Sequence, residues 1–246
     1  MDRYSTGQNI SRRHLLKYGV GFLGASSLTV LVGTKAFAST KKVQLVASDP
    51  GTRQSTLTPD AALKKLIEGN QRFVAKKRLN PHQDDFRIKE VASGQAPFAA
   101  ILGCADSRVV PEIAFDQGIG DIFVARVAGN IAATEDIASE EYAVGVLGAP
   151  LLVVLGHERC GAVKAALEGG SFPGVIESLV SAIQPAIEAS EGQPGDRLTN
   201  AVKANVRIQV KRLQKSSVLA SAIQKGKLKI VGAFYDLDTG EISLVS

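Results

Sequence analysis

From residue 57 onward, short apolar runs alternate with stretches whose apolar positions recur every three or four residues. Phe98 to Gly103, Ile122 to Val127 and Leu151 to Leu155 are almost wholly apolar, as expected of strands buried on both faces. Leu228 to Tyr235 reads as a fourth strand. Asp238-Thr239-Gly240 then turns the chain into a short last strand, Ile242 to Val245. Thr58-Pro59-Asp60 supplies a cap, a first-turn proline and an acid. With Ala62, Leu63, Leu66, Ile67 and Phe73 at helical spacing, it predicts a helix over 58–76. A short helix is expected over 84–93. Another is expected over 134–147, capped by Thr134 and facing inward through Ile137, Tyr142, Ala143 and Val146. Residues 160–225 read as several helices broken at Gly169-Gly170, Pro185 and Gly192-Gln-Pro-Gly195.

Strands that alternate with helices imply one α/β domain, with a mainly parallel sheet built from βαβ units and flanked by helices. The domain is expected over 57–246.

The first 56 residues do not share this pattern. Ser11-Arg-Arg-His-Leu-Leu-Lys17 matches the twin-arginine export motif, a Gly-rich apolar stretch follows to Val32, and Ala36-Phe-Ala38 is a small-x-small cleavage site. The apolar stretch is short for a bilayer span. Residues 1–38 are therefore expected to be a signal peptide and 39–56 a flexible leader. The destination is extracytoplasmic, the periplasm in a two-membrane cell, with membrane contact only during export.

Charge follows the same division. The chain carries +5 in all. Arg3, Arg12, Arg13, Lys17 and Lys35 against Asp2 place +4 of it in residues 1–38, which leaves +1 for 39–246. A nucleic-acid binder keeps its basic excess in the folded part, and this chain does not.

Only two cysteines occur, Cys104 and Cys160. In an exported protein they could form a disulfide. Their setting offers another reading. Cys104 follows the first strand and leads into Asp106 and Arg108, whereas His157 and Cys160 follow the third. In parallel sheets, reactive groups gather at this carboxyl edge. Two thiolates and an imidazole form a donor set suited to tetrahedral Zn²⁺ with one position left open, the pattern of catalytic zinc.

Cys104-Ala-Asp-Ser-Arg108 with His157-Glu-Arg-Cys160 resembles the paired signature of the beta-class carbonic anhydrases. Gly69-Asn-Gln-Arg-Phe73, Arg126-Val-Ala-Gly-Asn130, Glu141-Tyr-Ala143, Cys160-Gly-Ala-Val163 and Gly232-Ala-Phe-Tyr-Asp236 are similar to that family in order and spacing, across 57–246. The resemblance implies a fold of four parallel strands plus an edge strand. It also implies one zinc per chain on Cys104, His157 and Cys160, and reversible hydration of CO₂ to bicarbonate through zinc-bound hydroxide. Arg108 would hold Asp106 off the metal, although in a resting form Asp106 becomes the fourth ligand. Gln95 would bond bicarbonate, Phe123 and Tyr142 would line an apolar pocket shared with a neighbouring subunit, and Gly161 would offer a backbone contact near the substrate. The family's smallest unit is a homodimer clasped by N-terminal helices, for which the helix at 58–76 is the candidate.

Members with a second bicarbonate site often carry tryptophan three residues before the first cysteine. Here that residue is Ile101, and the chain has no tryptophan, which implies the open form. Two alternatives remain: hydrolysis of CS₂ or COS on the same scaffold, or a non-catalytic exported zinc or bicarbonate binder. His82, in Asn80-Pro-His-Gln83, reads as a surface loop histidine, with proton shuttling as its other reading.

Overall fold

The computed structural model describes residues 54–245. The segment expected to direct export, and the leader as far as residue 53, lie outside them. Strands β1 (Ala99–Gly103), β2 (Ile122–Arg126), β3 (Leu151–His157) and β4 (Lys229–Tyr235) are parallel, and β5 (Ile242–Val245) runs antiparallel to β4. The order is β2-β1-β3-β4-β5, the expected parallel core with an added edge strand. Every residue of β1 and β3 is buried, because these central strands are covered by helices on both faces. β2 differs from expectation. It lies at the sheet edge and is only half-buried.

Helix α1 (Pro59–Val74) starts as its sequence predicts: Thr58 Oγ1 accepts from the Ala61 amide at 3.2 Å, and Pro59 opens the first turn. It packs Ala62 and Leu66 into the core of its own chain. Helix α2 (Asp85–Val91), capped by Asp84, buries nothing and leaves Phe86 77% exposed. Ile88 on the same helix is also exposed. A single turn, α3 (Pro111–Ala114), had no periodic signal long enough to predict it.

Helix α4 (Thr134–Gly145) corrects two expectations. Its cap is Ala133, whose amide donates to Asp136 Oδ2 at 3.2 Å, so Thr134 is already inside the helix. Its buried face carries Glu140, Ala143 and Val144, whereas Tyr142 is exposed.

Four helices follow β3: α5 (Gly161–Glu168), α6 (Ile176–Ser190), α7 (Arg197–Leu213) and α8 (Ser217–Gln224). Pro185 does not break the chain as expected but sits inside α6. Its ring lies on the exposed face, where water can satisfy the carbonyl that proline frees. The buried stripe Val180, Ile183, Ala186 and Ile187 therefore continues past it. Helix α7 lies close on the sheet at two glycines. A Cβ at Gly156 would come within 2.5 Å of Val206 Cγ2, and one at Gly232 within 2.6 Å of Val206 Cγ1.

Candidate metal centre at the carboxyl edge of the sheet

Gly103 pairs with Arg126 and with Leu155, so β1 and β2 end together and β3 runs two residues further. Cys104 leaves β1 at this edge, His157 is the last residue of β3, and Cys160 caps α5. Their donor atoms lie within 4.8 Å of one another, and all three residues are buried.

The cysteines are free thiols with their sulfurs 4.0 Å apart, twice the length of a disulfide bond. Their mutual hydrogen bond pulls the Cys104 thiol down toward thiolate, and the same contact together with burial pushes Cys160 up. The Gly129 amide donates to Cys104 Sγ at 3.3 Å. His157 is oriented by its own loop, since Nδ1 donates to the Glu158 carbonyl at 2.9 Å. That bond fixes the tautomer and leaves Nε2 as a bare acceptor. Nε2 is buried and has no hydrogen-bond partner among the described residues.

A water-excluded pair of sulfurs beside an orphaned imidazole nitrogen fits a soft-to-borderline divalent cation. Zinc matches this donor set in type and number.

Asp106 stands beside this triad with Oδ2 3.8 Å from His157 Nε2. Arg108 holds it with three bonds: Nε to Oδ1 at 2.9 Å, Nη2 to Oδ2 at 2.7 Å and the backbone amide to Oδ1 at 3.0 Å. The guanidinium keeps the Asp106 carboxyl well below the usual carboxylate range.

The loop carrying Cys104 and Asp106 is clamped by an arginine to which the sequence motifs assign no role. Arg126, at the end of β2, donates to the carbonyls of Cys104 (2.9 Å), Asp106 (2.6 Å) and Val109 (2.8 Å). Helix α7 braces the neighbouring loop. Asn205 Nδ2 donates to the Gly129 carbonyl at 2.8 Å, and Gln209 Oε1 accepts from the Ala132 amide at 3.0 Å. The placement of Arg126 directly after an apolar run was the only available signal for the clamp; Asn205 and Gln209 had none.

A family model for carbonic anhydrase matches residues 99–242. Carbonic anhydrase 2 of Mycobacterium tuberculosis is 44% identical over 191 residues, covering 76% of this chain and 92% of the relative. The chain belongs to the beta-class carbonic anhydrases. A carbonic anhydrase of Mycolicibacterium smegmatis is 42% identical over 193 residues, covering 76% of this chain and 94% of its own length. Among solved structures, a Coccomyxa beta-carbonic anhydrase in complex with acetazolamide superposes with a TM-score of 0.61 at 29% identity, covering 74% of this chain and 86% of that one. The protein is thus an enzyme that interconverts CO₂ and bicarbonate. These likenesses favour neither CS₂ or COS hydrolysis nor a non-catalytic role.

Within one chain, the remaining expected site residues of this carbonic anhydrase do not all meet the triad. Gly161 does, as the first residue of α5 immediately after Cys160. Gln95 is exposed and precedes β1, at the opposite end of that strand from Cys104. Phe123 pairs with Ala100, three residues before the position paired with Gly103, so it lies about 10 Å back along the strand from the metal edge. Tyr142 accompanies Phe123, their ring centroids 6.4 Å apart. His82 is likewise remote: Nδ1 bonds both oxygens of Asp121 at 2.8 Å, just before β2 begins. This position at the amino edge removes it from proton shuttling at the metal centre of its own chain.

Proposed function

We propose that this carbonic anhydrase works with one zinc ion on Cys104, His157 and Cys160, that Asp106 and Arg108 serve it as a dyad, and that a second copy completes each substrate pocket. The observation that carries the reading is the buried Cys₂His triad with the orphaned Nε2 of His157. When bound, zinc supplies the Lewis acidity that makes water a nucleophile near neutral pH.

The chain's own residues do the rest. Three bonds from Arg108 engage both oxygens of Asp106, so the carboxylate would be kept from a metal held by the triad. Asp106 stays ionised there, so it accepts a hydrogen bond from the attacking water and aims the water's lone pair at the carbon of CO₂. The Gly161 amide, directly after Cys160, would offer bicarbonate a backbone contact. Two thiolates would offset the charge of a bound zinc and weaken its acidifying effect, so activity is expected to rise toward mildly alkaline pH. Ile101, where some relatives carry tryptophan, accords with the open state.

Gln95, Phe123 and Tyr142 lie toward the amino edge of the sheet, away from their own triad. In a homodimer they are available to the partner's triad, Gln95 to bond bicarbonate and the two rings to keep the pocket apolar. A tetrameric beta-carbonic anhydrase from Sordaria macrospora superposes with a TM-score of 0.60 at 27% identity, covering 75% of this chain and 96% of that one. Export by the twin-arginine route, with cleavage after Ala38, would deliver the protein folded and already metal-loaded.

Metal analysis with thiol titration is the first test: about one zinc per chain and two thiols per chain are expected once the metal is removed. Stopped-flow CO₂ hydration then measures the activity. A disulfide-linked protein without metal would end this reading. N-terminal sequencing of the extracytoplasmic fraction tests the export route.

A further inference from the structure

Two residues, Glu158 and Arg159, separate the ligands His157 and Cys160, and this short loop must reverse direction. Arg159 does so in the left-handed region, at φ +51°, a conformation that costs a non-glycine residue energy unless its surroundings hold it. The reversal points the Arg159 carbonyl at Arg108, whose Nη2 donates to it at 3.4 Å while also gripping Asp106.

The Arg159 side chain runs the other way, to the turn between β4 and β5. Its Nη1 donates to Asp238 Oδ2 at 2.9 Å and its Nη2 to Asp238 Oδ1 at 2.7 Å, a two-point fork. Nη1 also reaches Glu158 Oε1, and Glu158 Oε2 accepts from the Leu237 amide at 3.1 Å. The turn is itself stiff. Asp236 Oδ1 accepts from the amides of Asp238 and Thr239, and the Gly240 carbonyl is held by Asn70.

We propose that Asp238 is a positioning residue for the metal centre, acting through Arg159. The fork holds the His157–Cys160 loop in its left-handed reversal, so that two ligands stay in place and Arg108 keeps a fixed carbonyl to lean on. Asp238 touches neither metal nor substrate. The proposal rests on reading the triad as the zinc site.

The simplest competing account is a surface ion pair without consequence, since the Arg159 and Asp238 side chains are 47% and 69% exposed. Asp238→Asn and Arg159→Gln break the fork from opposite sides, and neither opens a buried cavity. With the zinc-loaded full chain, each is expected to speed transfer of zinc to a chromophoric chelator by roughly 10-fold and to lower kcat/KM by a similar factor, the low end for partners that orient metal ligands. Asp238→Glu is expected to restore most of both.

In an Arg108→Ala background, Asp238→Asn should cost kcat/KM less than it does alone, because one of the two supports it maintains has gone, while the faster zinc transfer persists. Wild-type zinc release and kcat/KM in both fork variants overturn the proposal, as does a full additional loss in the Arg108→Ala background. A wild-type protein that binds no zinc would instead sink the site reading on which it rests.

Discussion

Asp106 Oδ2 comes within 3.8 Å of His157 Nε2, yet both oxygens of Asp106 are bonded to Arg108. The distance is short enough for a small rotation to bring the carboxylate onto a metal held by His157. With a metal on the triad, Arg108 would therefore govern whether Asp106 reaches it.

Arg108→Ala is accordingly expected to keep about one zinc per chain while kcat/KM falls by roughly 100-fold, the upper end for residues that orient a metal site. Metal analysis beside stopped-flow hydration separates the two quantities. Unchanged turnover would refute the role given to Arg108.

Arg126 should behave differently, because it holds backbone rather than the carboxylate. Arg126→Lys keeps the charge but cannot span three carbonyls with one ammonium. Zinc affinity is expected to fall about 10-fold or more, read by competition with a chelator.

Glu140 is fully buried on α4, and neither carboxylate oxygen has a partner among the described residues. Burial, with Asp136 a lesser contributor, raises its pKa from 4.5 to about 8. The folded state therefore favours the protonated acid, whereas the unfolded chain ionises from about pH 4.5. This group's contribution is full below that pH and is lost as pH rises toward 8, with a slope approaching ~1.4 kcal/mol per pH unit. Glu140→Gln should remove that slope, leaving stability at pH 5 nearly unchanged and raising it at pH 8. Urea unfolding at the two pH values checks this, and parallel curves for the two proteins would contradict it.

Gly156→Ala places a methyl group within 2.5 Å of Val206 Cγ2. Helix α7 must then lift from the sheet, with a cost of about 1–3 kcal/mol. Asn205, on the same helix, would be drawn from the Gly129 carbonyl, so zinc affinity should weaken together with the melting temperature. Val206→Ala in the Gly156→Ala background is expected to recover part of both.

The strands were legible because burial on both faces leaves a continuous apolar run, and β1, β3 and β4 stand where those runs lie. Thr58 was legible as a cap because capping is settled within four residues. Thr134 was not a cap, since Asp136 can reach back to the Ala133 amide and open the helix one residue earlier. Pro185 predicts a break that α6 does not make, because a local rule does not reveal which face of a helix meets water.

The sequence by itself determined the alternation of strands and helices, the delivery of Cys104, His157 and Cys160 to one sheet edge, and the family. All of these follow from periodicity and short motifs. Only the tertiary structure decided that Arg126 clamps the Cys104 loop, that Asn205 and Gln209 brace its neighbour, that Glu140 is enclosed, and that Gln95 and Phe123 lie far from the triad of their own chain. Each of these depends on how strand register and the seat of α7 bring together positions distant along the chain, and no local pattern of residues encodes those distances.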